Sequence, residues 1–285
     1  TVLTTTTVKA TTVVTTTATT TAPTPDVILG DVDNNGIMDM LDASYIMAHY
    51  NAVACGQESP LNEAQQKAAD TNGDGCINSY DAFIVSKIYA AIMTGMDISD
   101  VPAYIAENFT YKCVDSADGG YTVEEIAASS VKPTLSVADV EYKLDELAEN
   151  GYIAEVTLSA EGFDEDVTAF DFHVYYDEGL TPYYTENNGY KNLKVSTMGG
   201  AAYCSLGKGF NEADNYIFIS LVNRQKENLN GEMIKLYFNV PKDAQSGDKF
   251  KVYPEYTKGD VLVSGADNKS HAYLFTQGLK GGTLS

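Results

Sequence analysis

Apolar residues recur at helical spacing in the first part of the chain and alternate with polar ones in the second. In DAFIVSKIYAAIMTG, Phe83, Ile84, Ile88 and Ala91 fall on one helical face. Another helix is predicted from about Leu41 to Asn51. A middle one is predicted in SPLNEAQQKAAD, with Ser59 as N-cap and Pro60 as first helical residue. VPAYIAENF predicts a short fourth helix. From residue 134 the period changes: TLSVADV, GYIAEVTLSAE, AFDFHVYYD, AYCSLGK, NYIFISLVN, EMIKLYFNVP, KFKVYPEY and LKGGTLS are short segments with turn signals between them. That succession predicts an all-β sandwich. In AFDFHVYY, Phe170, Phe172, Val174 and Tyr176 are expected to face the core, and Ala169, Asp171, His173 and Tyr175 to face out. NYIFISLVN is apolar or aromatic at nearly every position, which predicts a central strand or a partly apolar outer face, a candidate interaction surface.

Two stretches fit neither pattern. Residues 1–25 are mostly Thr with Val, Ala and Pro and have no apolar face to bury, so they read as a disordered, extended linker of a secreted multidomain protein. Residues 113–133 read as a connector, with a turn at DSADGG and a Thr-capped helical turn at TVEEIAAS favoured by Glu124 and Glu125.

Chemistry concentrates in two twelve-residue loops, DVDNNGIMDMLD at 31–42 and DTNGDGCINSYD at 70–81. Oxygen side chains stand at positions 1, 3, 5, 9 and 12: Asp31, Asp33, Asn35, Asp39 and Asp42, then Asp70, Asn72, Asp74, Asn78 and Asp81. The position-7 carbonyls belong to Ile37 and Cys76. Ca²⁺ takes roughly 6–8 hard oxygen ligands, and this spacing wraps them around one ion per loop, two ions in all. Gly36 and Gly75 stand at position 6, where the backbone turns sharply and a positive φ is expected. The loops depart from the usual EF-hand: position 12 is Asp, and TAPTPDVILG before Asp31 is a poor entering helix.

A loop–helix unit, a middle helix and a second loop–helix unit resemble a dockerin, a calcium-dependent cellulosomal plug, over 26–112. The resemblance implies partner-reading residues at loop positions 10 and 11 and two turns along each exiting helix. Carried over by position, these are Met40, Leu41, Met47 and Ala48, then Ser79, Tyr80, Ser86 and Lys87. The first set is apolar and the second polar, which predicts a single binding orientation. Core packing of Met40, Leu41 and Met47 is the alternative.

The strand succession, with AFDFHVYYD and FNVPKDAQSGD as its best-anchored strings, resembles a cohesin over 134–285. That implies a nine-stranded jelly-roll sandwich that binds dockerins across one sheet face. By position, the face takes Ala169, Asp171, His173 and Tyr175 from the third strand and Asn223 and Arg224 from the sixth. Asp171 is the residue expected to accept a hydrogen bond from the dockerin helix end. The piece 181–200 is longer than in compact cohesins and leaves the register of 177–202 open, with a flap over the binding face as one reading.

The net charge of −22 argues against nucleic acid or an anionic membrane as partner, and no apolar run spans a bilayer. No signal peptide is visible, so the chain reads as a mature or truncated fragment. Cys55, Cys76, Cys113 and Cys204 show no metal spacing; inert thiols are expected, with a Cys55–Cys76 pair as the alternative. His49, His173 and His271 are scattered, and no nucleophile elbow or phosphate loop is present, so no catalytic residue is assigned. A carbohydrate-binding sandwich is the rival reading. The chain has no Trp for sugar stacking, and Tyr183, Tyr184 and Tyr190 are the candidate platform.

The resemblances together imply a non-catalytic adaptor scaffoldin of an extracellular, cell-surface-associated cellulosome. Its dockerin is expected to plug into a cohesin of another scaffoldin, and its cohesin to take the dockerin of an enzyme or other cargo. The chain is expected not to bind itself, because a self-matching pair polymerises head to tail.

Overall fold

The computed structural model describes residues 27–109, 133–163, 167–223, 229–255, 257, 260, 262–264, 271–272 and 279–285; of 262–264 and 271–272 it describes the backbone. The Thr-rich tract, the connector up to residue 132 and Arg224 lie outside the described residues.

The first part is helical: α1 (Met40–Ala54), α2 (Glu63–Ala69), α3 (Ser79–Met93) and α4 (Val101–Asn108). Helices α1 and α3 start at the same position of the two loops and are both 15 residues long. Each starts on a capping box formed by loop positions 9 and 12: Asp39 with Asp42, and Asn78 with Asp81. The oxygen-rich loop and the helix start are therefore one structure. Helix α2 begins later than expected. Asn62 and Gln65 cap each other reciprocally and satisfy more free N–H groups than a lone serine. Ser59 instead accepts from Leu61 N and pairs with His49 Nδ1. Val32, Ala43, Ile46, Leu61, Ala68, Ala69, Ala82 and Val85 form the core between α1, α2 and α3.

The second part is a two-sheet sandwich. Its elements are β1 (Thr134–Val137), α5 (Leu144–Glu149), β2 (Ile153–Glu161), β3 (Val167–Tyr176), β4 (Thr181–Pro182), β5 (Tyr184–Asn187), β6 (Tyr190–Leu193) and β7 (Val195–Thr197). After a 3₁₀ turn at Gly199–Tyr203 come β8 (Cys204–Asn211), β9 (Tyr216–Asn223), β10 (Gly231–Asn239), β11 (Phe250–Glu255), β12 (Leu262–Ser264), β13 (His271–Ala272), β14 (Leu279–Lys280) and β15 (Gly282–Leu284). One sheet runs β14-β1-β2-β10, with β4 and β7 both on the far side of β10. In the other, β3 is central: β9 then β8 lie on one side, and β11 and β12 share the other.

Alternation holds along β3. Phe170, Phe172, Val174 and Tyr176 join the core with Ile217, Ile219 and Leu221 of β9 and Leu236 and Phe238 of β10. The short helix α5 was not legible as a helix; buried Leu147 anchors it to that core. The described residues hold more strand segments than nine, chiefly because 181–200 is not a free flap. Its ends, β4 and β7, pair with β10, and only the β5–β6 hairpin stands apart.

Candidate functional site

The two loops repeat one hydrogen-bond pattern atom for atom. At position 12, Asp42 accepts from Val32 N at 2.8 Å, Asp33 N at 3.2 Å and Asp39 N at 2.8 Å. Its counterpart Asp81 accepts from Thr71 N at 2.8 Å, Asn72 N at 3.4 Å and Asn78 N at 3.0 Å, and also from the Thr71 hydroxyl. At position 1, Asp31 accepts from Asn35 N and Gly36 N, and Asp70 from Asp74 N and Gly75 N. Gly36 and Gly75 have φ of 86° and 85°, the left-handed turn expected of position 6.

In the first loop these bonds curl the chain so that side-chain oxygens converge. One carboxylate oxygen each from Asp31, Asp33 and Asp42 lies within 4.8 Å of the other two. Burial raises the Asp42 carboxyl above the usual carboxylate range, with the backbone donors working against it. Asp81 is raised further by burial, and the Asp74 and Asp70 charges add to the rise against the Asn78 N–H. Each donor set is all oxygen, and a divalent cation among these carboxylates would relieve their repulsion, so the residues present fit a hard cation.

The two helices that leave the loops both reach the β8-β9-β3 sheet. Its outer face is a grid set by register: Ser205, Gly207, Gly209 and Asn211 on β8 oppose Val222, Ser220, Phe218 and Tyr216 on β9. These in turn oppose Ala169, Asp171, His173 and Tyr175 on β3. The N-terminus of α3 sits over β3, where the Ser79 hydroxyl donates to the Asp171 carboxylate at 2.5 Å. A carboxylate there also favours the positive end of the helix. Tyr80, Phe83, Ile84 and Ile88 pack in one cluster with Ala169 and Val222.

The C-terminal half of α1 lies over β8 and β9. Tyr50 meets Phe218 edge-on at 5.2 Å, and Cys55 joins that cluster. The Tyr216 hydroxyl donates to Ala54 O at 2.9 Å, satisfying a carbonyl at the helix end. A Cβ on Gly207 would stand 2.5 Å from Asn51 Oδ1 and 2.8 Å from Met47 Cε, and one on Gly209 would fall on Cys55 Sγ. The two glycines cut a notch in β8 that α1 fills.

Burial pushes the Asp171 carboxyl up to about 7, against the hydroxyls of Ser220, Ser79 and Tyr50 around it. Asp171→Asn keeps an acceptor for Ser79, whereas Asp171→Leu strands that hydroxyl. The contact is expected to survive the first change and to weaken by about 1–3 kcal/mol in the second. Alkylation of buried Cys55, followed by peptide mapping, reads the difference.

Of the residues expected to read a partner, Ser79, Tyr80 and Met47 are brought to the sheet. Ala48 lines a cleft of about 630 Å³ between α1, β8 and the β5–β6 hairpin. Met40 packs into the helical core instead, and Leu41 stays half exposed. Ser86 bonds back to Ala82 O, and Lys87 lies over the Phe83 ring. On the sandwich, Ala169, Asp171, His173 and Tyr175 are on the expected face; His173 Nδ1 pairs with Asp260 at 2.6 Å and Tyr175 with Thr257. Asn223 is not on it. It follows Val222 and so turns to the core side with Leu221; strand parity decides this.

Tyr50, Asn51 and Cys55 carried no signal as contact residues, and Tyr216, Phe218, Ser220 and Val222 were marked only together, as part of the candidate apolar face NYIFISLVN. The glycines had a readable signal: Gly-Lys-Gly inside a strand puts both glycines on one face and marks a close approach. The expectation that the chain does not bind itself concerned head-to-tail pairing between copies; within the one chain, its own helices cover its own sheet. The cysteine expectations are corrected too. Cys76 is disulfide-bonded, while Cys55 is a buried thiol that burial pushes up to about 12. Register places Tyr184 and Tyr190 on opposite faces of their hairpin, and Tyr184 is stacked on Phe210, so these two tyrosines share no platform.

Residues 29–88 match the family model described as the dockerin type I domain, whose members generally bind calcium. No curated protein sequence matches the chain. Among solved structures, the chain is similar to a type III cohesin module from the cellulosomal ScaE cell-surface anchoring scaffoldin of Ruminococcus flavefaciens. That match is 24% identical, covers 56% of this chain and 91% of that one, and has a TM-score of 0.44. It is also similar to a non-cellulosomal cohesin of Archaeoglobus fulgidus (14% identical, covering 54% and 89%, TM-score 0.38). A third is the ScaC cohesin of Acetivibrio cellulolyticus, solved in complex with the ScaB dockerin (13% identical, covering 54% and 97%, TM-score 0.38). Residues 29–88 are thus similar to a dockerin, and the two-sheet sandwich that follows is similar to these cohesin modules. No helix among the described residues is long and apolar enough to cross a membrane.

Proposed function

We propose that this chain is a non-catalytic adaptor of an extracellular cellulosome-type complex, binding two Ca²⁺ and joining two docking specificities. Its dockerin plugs into a cohesin of another scaffoldin, and its cohesin-like sheet takes the dockerin of an enzyme or other cargo. The observation that carries this reading is the β8-β9-β3 face itself. It is apolar at Phe218, Val222 and Ala169, polar at Asp171 and Ser220, notched at Gly207 and Gly209, and filled here by a dockerin.

Asp31, Asp33, Asn35, Asp39 and Asp42 with the Ile37 carbonyl would hold one ion. Asp70, Asn72, Asp74, Asn78 and Asp81 with the Cys76 carbonyl would hold the other. Ions bound there would neutralise the clustered carboxylates and stiffen the loops. The chain's own residues do the rest: Asn78 and Asp81 fix the start of α3, which sets Ser79 and Tyr80 on the partner face.

The test uses the full chain as bait against a panel of cohesin modules and a panel of dockerin modules, in calcium and then in EDTA. Calcium-dependent capture from both panels is expected. Retention on insoluble cellulose or xylan without capture of either panel would return the sandwich to the carbohydrate-binding reading.

A further inference from the structure

We propose that the chain closes on itself: its own dockerin is the resident occupant of its own cohesin-like sheet, so each masks the other until an outside partner displaces the contact. The inference rests on the docking reading above and adds a resting state to it.

Both sides of the contact are shaped for each other within one sequence. The Gly207–Gly209 notch admits α1 at Met47, Asn51 and Cys55, whose side-chain ends occupy the places a Cβ at either position would take. Asp171, fully buried, receives Ser79, the tenth residue of the second loop. Tyr216 meets the last carbonyls of α1. The fit thus reads both ends of the dockerin at once, the start of α3 and the end of α1.

Chain length permits the contact within one molecule. Phe109 and Pro133 are 24 residue steps apart in sequence (109 to 133), a reach of up to about 80 Å. Tethering at such lengths gives effective concentrations on the order of millimolar, so even a weak match is populated in one chain before it is made between two. Because the loop that holds the ion also starts α3, closure depends on calcium.

A single cysteine tests it. An ideal Cβ on Gly209 lies 3.6 Å from Cys55 Cβ, inside the roughly 3.5–4.5 Å span of disulfides. The full chain carrying Gly209→Cys, with Cys204→Ser to leave one thiol partner, is oxidised with diamide, a metal-free two-electron thiol oxidant, across a hundred-fold dilution series. Expected is a Cys55–position 209 disulfide within monomers, at a rate independent of dilution and at least ten-fold slower in EDTA. A ladder of linked chains whose yield falls on dilution overturns closure in favour of contact between copies. No disulfide in a chain with intact sheet signal overturns it outright.

If Gly209→Cys prevents folding, the unaltered chain serves. Iodoacetamide labelling of Cys55 is expected to be at least about five-fold slower than in a Gly207→Val chain, and equal rates overturn the proposal. Failure of the docking reading gives a different result. A chain that captures panel modules but forms no disulfide keeps the adaptor role and loses closure; one that forms the disulfide but captures nothing keeps closure and loses the adaptor role.

Discussion

Replacing Asp81 with alanine is expected to unfold the helical region while the sandwich stays folded. Asp81 is fully buried and is the acceptor for Thr71 N, Thr71 Oγ1, Asn72 N and Asn78 N. Leaving buried donors unpaired costs about 1–3 kcal/mol each, so the loss is at least several kcal/mol. Small domains hold only about 5–15 kcal/mol in total. In the proposed ligation the change also removes a ligand of the second ion, and an ion at one hundred times its dissociation constant would contribute about 2.7 kcal/mol to stability. Far-UV circular dichroism during a calcium titration is the measurement. The unaltered chain is expected to lose helix signal in EDTA and regain it with calcium, and the variant to stay low throughout. Asp42→Ala is expected to do the same through the first loop, where Asp42 caps the equivalent donors. A variant with unchanged helix content and an unchanged calcium response would overturn the assignment of these loops.

Gly207→Val is expected to separate the two regions without unfolding either. Valine suits a strand, so the sheet tolerates it. Its Cβ alone would overlap the side chains of Asn51 and Met47, and the two methyls reach further. Overpacking of this kind costs about 1–3 kcal/mol, roughly five- to 150-fold in the closed-to-open ratio. Small-angle scattering should show a larger radius of gyration, and Cys55, packed against Phe218 in the contact, should become accessible. Unaltered scattering and an unaltered labelling rate would mean that α1 does not occupy the notch in solution.

What was legible in the sequence follows from local chemistry. The loops were readable because their ligands, turn glycines and helix caps lie within twelve residues, and one spacing serves all three roles. The inward face of β3 was readable because period two over eight residues leaves one consistent assignment. Less was legible where partners are distant. Asn62 replaced Ser59 as a cap because a reciprocal pair with Gln65 outcompeted a single hydroxyl. Helix α5 followed from a core that receives Leu147 rather than from a repeating pattern. The 181–200 segment looked like an insertion because β10, which anchors both of its ends, lies more than thirty residues further on.

Local sequence encodes the two oxygen-rich twelve-residue loops, the helices that leave them, the strand alternation and the placement of Asp171 on an outer face. Each depends on neighbours in the chain, whose geometry the backbone period sets. Only the tertiary structure decided what that face meets. Gly207, Gly209, Phe218 and Tyr216 are ordinary strand residues until β8, β9 and β3 lie side by side. Ser79 and Asp171 are 92 positions apart until α3 is laid on the sheet. Such pairings depend on register and packing between distant segments, which no local pattern encodes.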